Sequence, residues 1–418
     1  MKKKLSCSAV LLFLAVAILN GPTNEVWIAI RTDSKPGTGT QKDPYDGSTM
    51  ERFDAVMAAI PPWNLIHLGP GTFRTNIRHT WQVRTGWVVS GQGKYTTVQL
   101  GGNAHGLNAG YTCFSNYFWD SAADYVVIRD LVCDANWAEI SLTADTGAGG
   151  EKNICTGAIG VGGSYDLFER IHSINTFGSW ANAREQFAIA MLGAGAGGVG
   201  DVIQFCRVDH VKGNYGAPYA LFNVSKSRVT HSFAQGINNG LNGGFPTGGV
   251  NLALAYDCEI SFNTFIDCSA GYHDTAPVKR LKVIGNVVIR GGFGFIDNSV
   301  NDDTDFEIRL NYFEIQNRVV GGASYGIGNT QNRPAINWKI KDNTIVRSPA
   351  PGKGYAEIRG ISLAGASQPG TKIISNIVDD TDTNYAQGAI RSGNRDSDGN
   401  VVPGLEDTVQ PPAPERPQ

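Results

Sequence analysis

Apolar and polar positions alternate along this chain in short bursts, and the bursts recur. In the C-terminal half five segments share one beat: Ile260-Ser261-Phe262-Asn263-Thr264-Phe265, Val283-Ile284-Gly285-Asn286-Val287-Val288, Ile308-Arg309-Leu310-Asn311-Tyr312-Phe313, Ile340-Lys341-Asp342-Asn343-Thr344-Ile345 and Ile373-Ile374-Ser375-Asn376-Ile377-Val378. An aliphatic residue lies three positions before each asparagine, and an apolar residue lies two positions after it. Alternation at period two over so few residues predicts short strands, not helices. Recurrence of the whole unit predicts a solenoid, because no single coil can bury its apolar side alone.

The beat continues upstream with the asparagine replaced by Asp130, Arg170, Cys206 and Ser232. The aliphatic column before the slot then reads Val127, Leu167, Ile203, Val229, Ile260, Val283, Ile308, Ile340 and Ile373. The column after it reads Val132, His172, Val208, Ala234, Phe265, Val288, Phe313, Ile345 and Val378, and His172 alone breaks it. That places His172 inward, as a buried histidine bonded to backbone rather than a ligand. A third column, five residues before the slot, carries Tyr125, Tyr165, Leu281, Phe306 and Trp338, with Asp201 and Ser227 as polar exceptions. Coils of parallel strands stacked about 4.8 Å apart would line these columns along the interior. An asparagine at a sharp turn tolerates a left-handed backbone, and stacked asparagines can bond along the axis.

The N-terminus reads as an export signal over residues 1–19. Lys2, Lys3 and Lys4 precede an apolar run from Ala9 to Leu19, with Ala15-Val16-Ala17 as a small-x-small cleavage site. Ser48-Thr49-Met50-Glu51 reads as a capping box, and Phe53, Val56, Met57 and Ile60 fall on one helical face before Pro61-Pro62. A helix over 48–60 would cover the open end of the solenoid, where bare strand edges invite aggregation. Leu65-Ile66-His67-Leu68 reads as the first strand. One domain is expected over 25–395, followed by an exposed Pro-rich tail over 396–418.

Composition sharpens this picture in two ways. The 52 glycines in 418 residues suit a chain made of many turns, and 17% charged residues suit a large interior. A net charge of −3 gives no electrostatic case for nucleic acid, and no membrane contact is expected once the signal is removed.

The order of a Gly-rich opening, a capping helix, Leu65-Ile66-His67-Leu68-Gly69-Pro70-Gly71-Thr72-Phe73, a Val89-Ser90-Gly91-Gln92-Gly93 turn and asparagine-marked coils resembles the pectin-lyase-like superfamily. The resemblance spans roughly residues 25–395. It implies an all-β chain folded as a right-handed parallel β-helix with a short N-terminal capping α-helix. It also implies a secreted, extracellular or periplasmic protein that acts on or binds polysaccharide. The chain shows no paired-aspartate and Arg-x-Lys signature of polygalacturonase-type hydrolases, and no calcium aspartates of pectate lyases, so no catalytic position carries over.

Chemistry must therefore be sought in the residues themselves. Removal of a proton beside a uronate carboxyl needs a base and a cation. Asp209-His210 with Lys212, and Tyr272-His273-Asp274 with Lys279-Arg280, are the densest groupings of that kind. The candidate catalytic set is His210, His273, Asp274 and Arg280, with His231 secondary. Tyr256, Trp119, Trp137 and Trp180 are candidate sugar-binding aromatics. Hydrolysis would need two opposed carboxylates, for which Asp257, Asp274 and Asp297 are available. No metal ligand set and no cofactor is assigned, although two acidic runs, Asn301-Asp302-Asp303-Thr304-Asp305 and Asn394-Arg395-Asp396-Ser397-Asp398-Gly399, leave calcium open. Beyond the signal, Cys113, Cys133, Cys155, Cys206, Cys258 and Cys268 form an even set, compatible with disulfides or with buried thiols. The expected function is a polysaccharide-degrading enzyme, a lyase ahead of a glycoside hydrolase. The alternatives are a non-catalytic carbohydrate-binding or adhesive protein and a self-assembling structural β-helix protein.

Overall fold

The computed structural model describes residues 24–78, 81–116, 122–147, 152–178, 186–193, 197–213, 216–237, 248–274, 276–299, 303–316, 323–329, 333–349, 357–364 and 368–408. The predicted signal lies outside them. Strands form where the alternation predicts, and they stack as a parallel β-helix. Each complete coil contributes three. A first-row strand such as Glu259–Ser261 meets the asparagine turn, and a second-row strand such as Thr264–Cys268 follows it. A third-row strand such as Ala270–Asp274 closes the coil. The first two rows belong to one 23-stranded sheet and the third to a 14-stranded sheet.

The aliphatic columns run inside. Ile260, Val283, Ile308, Ile340 and Ile373 pair in register on successive parallel strands, and each is at most 2% exposed. Facing the second row, Gly249, Gly271, Gly294, Gly326 and Gly360 form their own column. A Cβ on each would come within 2.4–2.5 Å of Phe265, Val288, Phe313, Ile345 and Val378 respectively. The bulky column of one sheet thus fits the bare backbone of the other.

The asparagines act through their side chains. Asn263 donates from its backbone N and its Nδ2 to Asn286 Oδ1, both at 3.0 Å, and Nδ2 also donates to Val229 O. Asn286, Asn311 and Asn343 repeat the pattern, and Asn376 passes it to a sixth residue, Asn394. The left-handed backbone belongs instead to the residue before each: Phe262, Leu310, Asp342 and Ser375 have φ of 56°, 59°, 55° and 53°, and Gly285 has 65°. Two other corners of the coil also carry left-handed columns. One includes Lys226, Asp257, Arg280, Asp305 and Asn337, and the other Asn175, His210, Asp267, Arg290 and Asp380.

Three expectations change, and one open alternative closes. The upstream coils are shifted by one residue: Arg170 pairs beside Asp130 in the exposed left-handed column, and Ile128, Leu131, Phe168 and Ile171 point inward instead. A one-residue slip moves every side chain to the other face, so His172 lies on the outside. The capping helix runs over Met50–Ala59 with Thr49 as its N-cap, and a strand, Asn24–Ala29, precedes the predicted first one. The expected tail begins as packed structure, with Val402 and Leu405 buried in the core. Finally, Cys113, Cys133, Cys155, Cys206, Cys258 and Cys268 are buried thiols, not disulfides. Burial pushes Cys206 and Cys258 up to about 12, which keeps them protonated.

Candidate functional site

Strand alternation separates the residues that sequence proximity had grouped. His273 and Asp274 are neighbours on the third-row strand Ala270–Asp274, so they face opposite ways. His273 lies in register with Asn251 and Ile296, and its Nδ1 is 2.7 Å from Asn251 Oδ1. Burial lowers its pKa to about 3, so it is neutral at physiological pH. Asp274 turns inward, where it accepts a 2.8 Å bond from the Tyr272 hydroxyl. Arg280 stands at an exposed left-handed corner and donates to both oxygens of Asp257, at 2.5 and 2.8 Å. His210 occupies another such corner, with its ring over the bare Cα of Gly236. These four do not converge.

The aromatics divide similarly. Trp137 begins a short helix, Trp137–Thr143, and stacks on Phe177 with ring centroids 3.6 Å apart. That contact packs it onto the solenoid. Tyr256 ends the third-row strand Gly248–Tyr256 and pairs in register with Ser225 and Lys279. Trp119 and Trp180 lie outside the described residues. The acidic run at 394–399 is used by turns: Asp396 accepts from the backbone N of Asp398 and Asn400 and from Asn400 Nδ2.

What the structure does bring together lies on the outer side of the second row. His172, Arg207, Phe233 and Thr264 occupy one outward column on successive strands. Asp209 stands two residues beyond Arg207, on the same face. Its Oδ2 is 2.7 Å from His172 Nε2 and accepts a 2.7 Å bond from Arg207 Nε. Burial pushes the Asp209 pKa upward, but the bonds from Arg207 and His172 outweigh it and hold the carboxyl below its ordinary value. The same bond raises Arg207, so the pair stays ionised. With Nε2–H donated to Asp209, Nδ1 of a neutral His172 is the free proton acceptor. His172 is 39% and Arg207 50% exposed, so solvent and ligand reach both. The Arg207 guanidinium also lies 5.0 Å over the Phe233 ring.

Around the adjoining asparagine turn runs an aromatic ridge. Phe205, His231 and Phe262 sit on successive coils, with ring centroids 5.3 and 5.2 Å apart. Phe205 and Phe262 are 51% and 53% exposed. His231 Nδ1 is held 2.8 Å from Thr230 Oγ1. Gly285 follows in the column, and the Phe262 ring lies over its bare backbone, where a Cβ would come within 2.7 Å of the ring. Sequence reading named His231 but missed Phe205, Phe262 and Arg207, and it turned His172 inward. The signal for the two phenylalanines was their place immediately before the asparagine slot.

No family model matches this chain, and no curated protein matches it. Solved structures do. A mutant tailspike protein of E. coli bacteriophage HK620 superposes with a TM-score of 0.58 at 14% identity, over 85% of this chain and 62% of that one. Gene product 12 of bacteriophage phi29, in its pre-mature form, gives 0.56 at 11% identity, over 95% and 55%. The A-module of the mannuronan C-5 epimerase AlgE6 from Azotobacter vinelandii gives 0.52 at 10% identity, over 83% and 88%. The likenesses show that the chain has the parallel β-helix fold.

Proposed function

We propose that this chain is an exported protein that binds an acidic polysaccharide along the outer side of its second strand row and cleaves it by β-elimination. The observation that carries the reading is the His172–Asp209–Arg207 trio, a base, its orienting carboxylate and a cation on one open face. In this reaction His172 Nδ1 takes the proton beside the uronate carboxyl. The electron pair left behind forms a C=C bond as the glycosidic C–O bond breaks, and the departing oxygen takes a proton from water. The Arg207 nitrogens not used by Asp209 stabilise the carboxyl group as it gains enolate character. Asp209 fixes the imidazole tautomer and balances the charge that His172 acquires.

Hydrolysis has less support. Asp134 is another outward carboxylate on the second strand row. It lies two strand steps from Asp209, about 9–10 Å by ladder spacing. It is also tied up, accepting from Gln99 Nε2, Asn175 Nδ2 and the Asn136 backbone N. A general acid or base needs a freer carboxyl.

A second reading, non-catalytic glycan binding, rests on the Phe205–His231–Phe262 ridge. A panel of uronate-bearing and neutral polysaccharides separates the cases. New absorbance in the unsaturated-uronate band supports elimination, and reducing ends without it mean hydrolysis. Retention of a glycan with neither signal leaves binding alone.

A further inference from the structure

Inside the third row, the column of Leu221, Leu252 and Leu363 is interrupted. Asp274 and Asp297 take its place on adjacent coils. Asp303, which follows them in the chain, enters beside them. The three are 0%, 4% and 1% exposed, and one oxygen from each lies within 4.8 Å of the others. Their surroundings suit ionised carboxylates. Asp274 Oδ1 accepts from the backbone N of Asn298 and Ser299, Asp297 Oδ1 from Ser299 N, and Asp303 Oδ1 from Val278 N. Among the described residues, neither Asp274 nor Asp303 is ion-paired, and Asp303 Oδ2 is buried with no hydrogen-bond partner.

Three carboxylates cannot share a dry interior without a positive charge between them. In the absence of one, burial and mutual repulsion push Asp297 up to about 8 and Asp303 up to about 9, and Asp274 also rises. We propose that Asp274, Asp297 and Asp303 form an internal binding site for one calcium ion, which the unpartnered Asp303 Oδ2 helps to ligate. Oxygens about 2.3–2.6 Å from one calcium ion fall within that 4.8 Å limit, and calcium accepts an irregular cage of carboxylates, whereas magnesium demands near-ideal octahedral geometry and gives up its waters reluctantly. All-oxygen, all-carboxylate donors select a hard cation over zinc or copper. Such an ion ties Asp303 to the strands that carry Asp274 and Asp297. The site is independent of the His172 face.

The test is metal content and melting of the full exported chain after chelation, with calcium or magnesium added back. The expected result is one calcium per chain, a melting temperature that falls on chelation and returns with calcium, and weaker recovery with magnesium. Asp303→Asn should weaken calcium binding about tenfold or more, since affinity follows ligand charge. A second acidic cleft, lined by Asp379, Asp380, Asp382 and Asp396, supplies the control. Asp380→Asn should leave the stoichiometry unchanged. Wild-type chain that binds no divalent ion at millimolar concentration overturns the proposal and shows a cluster held by shared protons. So does loss of the ion in Asp380→Asn with retention in Asp303→Asn.

Discussion

His172 and Asp209 are separated by 37 residues in sequence, yet stacking of one coil on the next brings Nε2 and Oδ2 to 2.7 Å. The pair is the centre of the proposed chemistry, and it responds to substitution in a defined way. His172→Ala should remove turnover on the uronate substrate, and Asp209→Asn should reduce it by about 10²–10⁴, the usual span of a general-base contribution. His172→Ala should stay folded and melt close to wild type, because its ring is exposed, whereas Asp209→Asn should stay folded with a lowered melting temperature, because its carboxyl is only 14% exposed and bonded to two partners. Full elimination activity in His172→Ala ends the assignment.

The acid dependence of the same pair has a fixed sign. Asp209 is held below its ordinary value, so its stabilising effect is complete above the unfolded carboxylate pKa of about 3.9 and is lost as pH falls towards the lower folded value. Thermal melts of wild type and Asp209→Asn should therefore differ by a constant amount from pH 5 to 8 and converge below about pH 4. A difference that grows upward from neutral pH contradicts this account.

Phe262 is expected to serve ligand rather than fold. Phe262→Ala should weaken polysaccharide retention several-fold, in line with about 1 kcal/mol for one aromatic contact. Its melting temperature should hold, since the ring is 53% exposed and Ala keeps the Cβ that sets the cost of φ 56°. Affinity electrophoresis reads the first and calorimetry the second. Unchanged retention removes the ridge from the binding surface.

The asparagine ladder should be locally costly to break. In Asn286→Ala the buried Asn263 backbone N–H and one Asn263 Nδ2–H lose their acceptor. Each orphaned group costs about 1–3 kcal/mol. Hydrogen exchange at the Asn263 amide should accelerate strongly, while the Asn376 amide, three rungs away, keeps its protection. Equal acceleration at both would mean that the ladder melts as one unit.

Crowding of the glycine column gives a further test. Gly294→Ala places a Cβ 2.5 Å from both Phe313 Cγ and Gly326 O. Overpacking of this kind costs about 1–3 kcal/mol in denaturant-midpoint measurements. Phe313→Ala removes the clashing Cγ, so Gly294→Ala should cost less in that background than in wild type, although the carbonyl clash remains. A neutral Gly294→Ala would show that the sheets can part at this level.

The architecture was legible because its signal is redundant. Ile260 through Ile373 repeat with the asparagines, and one register satisfies both. Upstream the register was ambiguous. Val127-Ile128 and Leu167-Phe168 are apolar doublets, so either phase of a period-two pattern fits, and Asp130 and Arg170 stood where an asparagine substitute was expected. The structure chooses the other phase, and His172 moves outside with it. The site depends on that choice and on stacking across coils, neither of which a local motif encodes. One miss was avoidable: His273 and Asp274 are adjacent on a strand, and alternation alone places them on opposite faces.

Asn263 presents to Asn286 the same donors that Asn286 presents to Asn311, so no rung is chemically special to its neighbours. Molecular length is then a countable property. Removing residues 312–343 would bring Asn311 directly against Asn376 with the ladder bonding intact, and it would shorten the rod by a single step while keeping the His172 face and Asp274, Asp297 and Asp303 in the chain.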